Sequence, residues 1–176
     1  MEISRKASKL VYRNRWMTVR EDEIVRASGA EGIYGVVEKQ DFAVIAAIDG
    51  DRIWLVEQYR YPVGARYWEL PQGTSESGLG RTELAAAELR EETGLTAASM
   101  VHAGHLFAAY GFATQGFDVY VARGLQHAEP DREPEEEGLI AQAFDLKTVE
   151  RMLVSGIIKD AATVAAFGLL RLKGHL

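Results

Sequence analysis

Short runs of branched and aromatic residues, separated by turn-forming residues, fill the first third of the chain. Such runs occur at 9–12, 16–27 and 32–37, and again at 42–48 and 52–58 on either side of Asp49-Gly50-Asp51. Asp-Gly between two apolar runs is typical of a β-hairpin. The pattern predicts strands in all five runs and one more strand at 67–70.

The pattern of residue types then changes from that of strands to that of a helix. Residues 82–93 are good helix formers, with Thr82 as the expected N-cap and Gly94 as the expected end. Further strands are predicted at 101–110, 117–122 and 139–146, and helices at 146–155 and 160–172. The acidic, proline-containing stretch 129–137 predicts a surface loop. This order predicts an α+β fold, built as an α/β/α sandwich around a mixed sheet.

Composition narrows the class of protein. A length of 176 residues suits one domain, or a domain with a small addition. With 47% hydrophobic and 26% charged residues, the composition is typical of a soluble globular protein. The apolar runs are too short to cross a bilayer, and the first residues show no signal-peptide pattern. With no cysteine, disulfides, thiolate zinc sites and a cysteine nucleophile are excluded. We therefore expect a cytoplasmic protein without a membrane partner.

The net charge of −6 argues against a nucleic acid as partner, because the surface as a whole would repel phosphates. A protein of this charge that handles phosphates needs arginines or a bound metal at the site. The four histidines show no ligand spacing and are expected to be structural or exposed. Ser75 and Ser77 have no histidine nearby, so a serine-hydrolase triad is not supported.

The segment 73–95, GTSESGLGRTELAAAELREETGL, carries the candidate chemistry. Glu88, Glu91 and Glu92 stand at i, i+3 and i+4, so a helix places all three carboxylates on one face. Their mutual repulsion would be relieved by Mg²⁺ or Mn²⁺, which prefer oxygen ligands. Gly73 begins a glycine-containing loop that can approach a phosphate closely. The alternative interpretation is an ordinary solvated helix face.

This segment resembles the Nudix box, G-x5-E-x7-R-E-U-x-E-E-x-G-U, where U is apolar. Seven of its nine defined positions match, and the two departures are Leu79 for the first glutamate and Ala87 for the arginine. In that family the arginine helps to orient the box glutamates. The flanking sequences 56–62 and 68–73, the β-rich stretch before residue 40 and the segment 155–163 also resemble ADP-ribose pyrophosphatases.

The resemblance implies a Nudix hydrolase domain at 39–176, preceded by a β-rich segment at 1–38 that forms a small antiparallel sheet and helps to build a homodimer. It implies Mg²⁺- or Mn²⁺-dependent cleavage of the diphosphate of ADP-ribose or a related nucleotide sugar. The products would be a nucleoside monophosphate and a sugar phosphate.

The resemblance also implies roles for individual residues. The metal ligands would be Glu88, Glu92, Glu91 and the main-chain carbonyl of Gln72. Arg60 would contact the diphosphate, and the alternative is a salt bridge to Glu57 or Glu69. Trp16 and Tyr34 match positions that present aromatic rings to the base, and the alternative is core or interface packing.

The general base is a separate question. In the related enzymes a glutamate on a loop after the box often serves, and the nearest position here is Gln115. A neutral amide holds a water but accepts no proton at pH 7. We therefore expect Gln115 to position the water and Glu91 to act as base, with 135–137 as the second candidate for the base.

Two other functions remain open at this level. Leu79 and Ala87 favour a catalytically weakened nucleotide-binding or sensor protein, whereas the intact glutamates oppose it. Cleavage of oxidised nucleoside triphosphates or dinucleoside polyphosphates is the other, and the N-terminal β-rich segment argues against it.

Overall fold

The structure is a computed structural model, and it describes residues 2–74, 78–128 and 138–176. The chain divides into two compact units. One comprises Met1–Asp41 with Phe107–Gly116, and the other comprises Phe42–Leu106 with Phe117–Leu176. In the described ranges no helix is long and apolar enough to span a membrane.

The first unit contains a three-stranded antiparallel sheet in the order β1-β2-β3, formed by β1 (Ile3–Arg13), β2 (Thr18–Arg26) and β3 (Glu31–Glu38). A turn with Gly29 at φ +83° joins β2 to β3, a conformation that favours glycine. All of β1 is exposed, whereas Asp22 and Ile24 on β2 are buried. The small N-terminal antiparallel sheet is confirmed.

The second unit is built on a mixed sheet. Its strands are β4 (Phe42–Asp49), β5 (Arg52–Arg60), β6 (Ala65–Glu69), β7 (Gln72–Gly73), β8 (Leu95–Phe107), β9 (Gly116–His127) and β10 (Ile140–Asp145). In the described part of the chain the main order is β10-β5-β4-β9-β8, with β6 paired to β5 and β7 to β4. The pair β4–β9 is parallel, and the β4–β5 hairpin turns at Gly50 as predicted.

The described residues of this unit also form three α-helices, α1 (Arg81–Thr93), α2 (Leu146–Val154) and α3 (Ala161–Leu172), and a short 3-10 helix at Tyr61–Val63. The N-cap of α1 is Gly80, so the prediction of Thr82 was wrong. The reason is that Glu83 reaches back to the Gly80 N–H at 3.0 Å and lets the helix begin earlier. Gly94 ends α1 in the left-handed conformation, as predicted.

Alternate residues of β4 face two separate cores, because successive side chains in a strand point to opposite faces. Val44, Ala46 and Ile48 pack with residues of α2 and α3 on one face. Ala43 and Ile45 pack with residues of α1, among others, on the opposite face. Helices on both faces of a mixed sheet confirm the predicted α/β/α sandwich.

Candidate active site

The box glutamates lie on the last two turns of α1. Glu88 and Glu92 are 6% and 2% exposed, and Glu91 is half-buried. The i, i+4 spacing puts Glu88 and Glu92 on one face, one helical turn apart. Carboxylates are rarely buried without hydrogen-bond or charge partners, so the surroundings of these two residues determine what the site can do.

Gly73 on β7 allows Glu88 to approach the sheet. A Cβ added to Gly73 would lie 2.2 Å from Glu88 Oε2 and 2.6 Å from its carboxylate carbon. Gly73 pairs with Ala43 of the central strand β4, which fixes its height in the sheet. The glycine that begins the box is therefore needed to leave space for Glu88, the first of the three box glutamates.

Glu92 is held by two donors from the sheet. The main-chain N–H of Gln72 donates to Glu92 Oε2 at 2.9 Å, and Gln58 Nε2 lies 3.4 Å from Glu92 Oε1. The side chain of Gln72 donates instead to Asp160 Oδ2 at 3.3 Å. Its buried Oε1 atom has no hydrogen-bond partner among the described residues. A buried orphan acceptor beside two carboxylates suits a site that binds a cation.

Arg60 forms an ion pair with Glu69 of the neighbouring strand β6. Its Nη2 contacts Glu69 Oε1, and its Nε donates to Glu69 Oε2 at 3.3 Å. Glu57 pairs instead with Arg66, at 3.0 Å. Burial raises the pKa of Glu69, while the positive charge of Arg60 opposes that shift. The Arg60 side chain stays partly accessible to solvent, with 41% of it exposed.

The donor set fits a hard divalent cation. It consists of carboxylate oxygens from one helix, supplemented by peptide and amide oxygens of the adjoining β7 strand. Within 2–74, 78–128 and 138–176, no three His, Asp or Glu side chains already surround a common point able to hold an ion. Oxygens other than carboxylates, such as those of Gln72 on β7, are therefore needed beside the box glutamates to complete a cation site.

Three candidate residues belong to the N-terminal unit. Trp16 is 57% exposed, carries the Arg15 guanidinium 4.3 Å above its ring and lines a cavity of about 290 Å³. Tyr34 donates through its hydroxyl to the Gly111 carbonyl at 2.6 Å. Gln115 donates through Nε2 to the Gln40 carbonyl at 2.8 Å. Their assigned roles stay predictions.

The segment 135–137, the second candidate for the base, lies outside the described residues. Both residues that depart from the box pattern lie within the described residues. Leu79 is 46% exposed just before α1, and Ala87 is half-buried in the helix. Neither side chain carries a charge, so neither can form an ion pair or a charged hydrogen bond at its position.

Sequence reasoning missed a buried carboxylate on β9. Asp118 Oδ1 lies 2.9 Å from His102 Nε2 and 3.2 Å from His105 Nδ1, and its Oδ2 lies 3.3 Å from Arg81 Nη1. An odd separation normally places two strand residues on opposite faces. Gly104, at φ +156°, interrupts the regular strand between the two histidines. Both imidazoles nevertheless reach one carboxylate, from positions on either side of this glycine.

Comparison with known proteins first establishes the fold. A crystal structure of an ADP compounds hydrolase matches with a TM-score of 0.87 and 22% identity, covering 99% of this chain and 96% of that one. In this sandwich, carboxylates of helix α1 pack against Gly73 and Gln72 of strand β7. Together with the structural match, this arrangement defines a protein of the Nudix fold.

Sequence comparison then establishes the family. The NUDIX domain model matches residues 38–163, and the model of the nucleoside diphosphate sugar hydrolase N-terminal domain matches residues 5–37. An ADP-ribose pyrophosphatase of Mycobacterium tuberculosis is 30% identical over 90% of this chain and 78% of that protein. One of Bacillus subtilis is 32% identical over 76% of this chain and 73% of that protein. The chain belongs to the Nudix hydrolase family and is a Nudix pyrophosphohydrolase similar to ADP-ribose pyrophosphatases.

Proposed function

We propose that this chain hydrolyses the diphosphate linkage of ADP-ribose or a related nucleoside diphosphate sugar, with Mg²⁺ or Mn²⁺ as cofactor. The observation that carries the proposal is the buried pair Glu88 and Glu92, which lies against Gly73 and Gln72 of β7. Arg60 on β5 is held by its ion pair with Glu69 of β6. The names of the matched relatives support the substrate class.

The chain's own residues would divide the work as follows. Glu88, Glu92, Glu91 and the main-chain carbonyl of Gln72 would hold the cation. When bound, the cation would supply charge neutralisation on the diphosphate and acidify the attacking water. The exposed side of the Arg60 guanidinium would bind phosphate oxygens, since its planar fork matches them.

The reaction is a hydrolysis. The water oxygen forms a bond to one phosphorus, and the bridging P–O bond breaks with its electron pair going to the departing phosphate. Glu91 would accept the water's proton, and Gln115 would orient the water. Trp16 would stack on the base of the nucleotide.

A panel of nucleoside diphosphate derivatives tests this function. With Mg²⁺ or Mn²⁺, ADP-ribose or a close relative should yield a nucleoside monophosphate and a sugar phosphate, identified by mass. EDTA should abolish the reaction. Activity that survives EDTA, or a panel in which no diphosphate is cut, would contradict the proposal. Nucleotide binding without turnover would favour the sensor function instead.

We also propose a homodimer that involves residues 1–38. The strand β1 is an edge strand of the N-terminal sheet, and Leu10, Val11 and Tyr12 on it are 53–59% exposed. Exposed apolar edge strands are typical of surfaces that pair with another chain. Ile33 on β3 adds a further large apolar side chain that is 66% exposed.

Sedimentation at micromolar concentration should give twice the chain mass of 19.5 kDa. Leu10→Glu should shift the protein to monomer. Val154→Glu is the matched control, because Val154 is a 91% exposed apolar residue of the other unit. A wild-type monomer would count decisively against the dimer.

A further inference from the structure

Glu69 is the most enclosed charged residue near the candidate site that the proposed chemistry does not use. It is 1% exposed, and it accepts hydrogen bonds from Arg60 and, at 2.8 Å, from Gln58 Nε2. Gln58 and Arg60 stand at i, i+2 on β5, which pairs with β6, so both side chains point to the same face of the sheet. Both side chains therefore donate hydrogen bonds to the same buried carboxylate, that of Glu69.

Gln58 connects this carboxylate to the box. Its Nε2 atom lies 2.8 Å from Glu69 Oε1 and 3.4 Å from Glu92 Oε1. An amide nitrogen carries two protons, so one Gln58 side chain can donate to both carboxylates at once. Two buried carboxylates in this proximity repel each other, and a shared donor between them reduces that repulsion.

The result is a continuous hydrogen-bonded path from the exposed guanidinium of Arg60 through Glu69 and Gln58 to Glu92, whose other oxygen accepts from the Gln72 N–H at 2.9 Å. Replacing a residue that hydrogen-bonds to a metal ligand commonly lowers metal affinity or activity by roughly ten- to a hundredfold. Residues that hold a substrate-binding arginine act on substrate affinity. Glu69 contacts both parts of the path.

We propose that Glu69 and Gln58 are positioning residues. Glu69 fixes the guanidinium of Arg60 for the diphosphate and, through Gln58, fixes Glu92 for the cation. This inference rests on the proposed function, since it takes Arg60 as the diphosphate contact and Glu92 as a metal ligand. It predicts that one substitution at Glu69 weakens two separate binding events.

The first experiment measures the binding of Mn²⁺ alone, and the EPR signal of the free ion is the readout. Gln58→Met keeps the length of the side chain but removes the shared donor, and Mn²⁺ affinity should fall about tenfold or more. Glu69→Gln should also weaken Mn²⁺ binding, because Gln58 loses its charged acceptor. The double variant should lose no more than Gln58→Met alone, because Glu69 acts on the metal through Gln58.

The second measurement is binding of α,β-methylene-ADP-ribose, in which a CH₂ group replaces the bridging oxygen. Glu69→Gln should weaken this binding about tenfold and raise KM, since Arg60 loses its anchor. Arg60→Lys should weaken it while leaving Mn²⁺ affinity unchanged. Glu57→Gln is the matched control, because Glu57 and Arg66 form a similar cross-strand pair on β5 and β6. It should change neither quantity.

Unchanged Mn²⁺ affinity in Glu69→Gln, or losses for Gln58 and Glu69 that add in the double variant, would overturn the inference. Thermal unfolding of each variant shows whether it is folded at the assay temperature. If wild type binds Mn²⁺ but cleaves no diphosphate, the proposed function fails while the Mn²⁺ comparison still decides the positioning role. If wild type binds no Mn²⁺, both fail.

Discussion

Replacing Gly73 by alanine tests whether catalysis needs the carboxylate of Glu88 against strand β7. The added Cβ would lie 2.2 Å from Glu88 Oε2, whereas ordinary contact begins at 3.4 Å, so the oxygen must withdraw by about 1.2 Å. The obstacle is the end of a flexible side chain, which can rotate away. We therefore expect a small effect on stability and a large effect on activity.

The magnitudes follow from the displacement. An off-rotamer side chain costs about 1 kcal/mol, which corresponds to a fall of roughly 2–4 °C in Tm for a chain of this size. Misplacing a catalytic group by about 1 Å costs on the order of a hundredfold in rate. In Gly73→Ala, kcat/KM should therefore fall by that order while the protein remains folded.

The assay is hydrolysis of ADP-ribose as a function of Mg²⁺ concentration, together with a thermal melt. Gly168→Ala on α3 is the matched control, because its added Cβ meets nothing within 4 Å. Adding Glu88→Gln to Gly73→Ala should cause little further loss, since both changes remove the same ligand. Wild-type turnover and Mg²⁺ dependence in Gly73→Ala would refute the reasoning.

Four further predictions concern other carboxylates and the amide of Gln115. Glu92→Gln should cost on the order of a hundredfold or more in rate with stability held or raised, and a variant that unfolds would show a structural role. At saturating Mg²⁺, Glu91→Gln should cost on the order of a hundredfold and Gln115→Ala about tenfold or less; the reverse order would remove Glu91 as the base. Burial raises the pKa of Glu69 above 4.5 in the folded protein, so protonation of Glu69 stabilises the fold. This contribution is fully present below pH 4.5 and is lost as the pH rises through the folded-state pKa. Urea unfolding at increasing pH should show this loss in the metal-free wild type but not in Glu69→Gln. Asp118→Asn should cost about 1–3 kcal/mol in urea unfolding, since a buried carboxylate loses its charge-assisted donors, and an unchanged midpoint would contradict this.

The sequence by itself determined the features that depend on local geometry. The spacing of Glu88, Glu91 and Glu92 predicts a shared helix face, because the helical period relates residues three and four apart. Asp49-Gly50 predicts the hairpin, and Gly94 predicts the end of α1, because each depends on a backbone conformation of a few adjacent residues. The N-cap of α1 was misplaced by two residues, because a glutamate side chain competed with the expected threonine.

Tertiary structure alone decided which distant side chains meet. Arg60 had two possible acidic partners in the sequence, and the antiparallel register of β5 and β6 brings it to Glu69. The bridge of Gln58 to Glu92 spans 34 positions of the chain. Asp118 on β9 contacts two histidines of β8 that lie on either side of Gly104. No local propensity encodes such contacts, since strand pairing and helix packing depend on burial of the whole core.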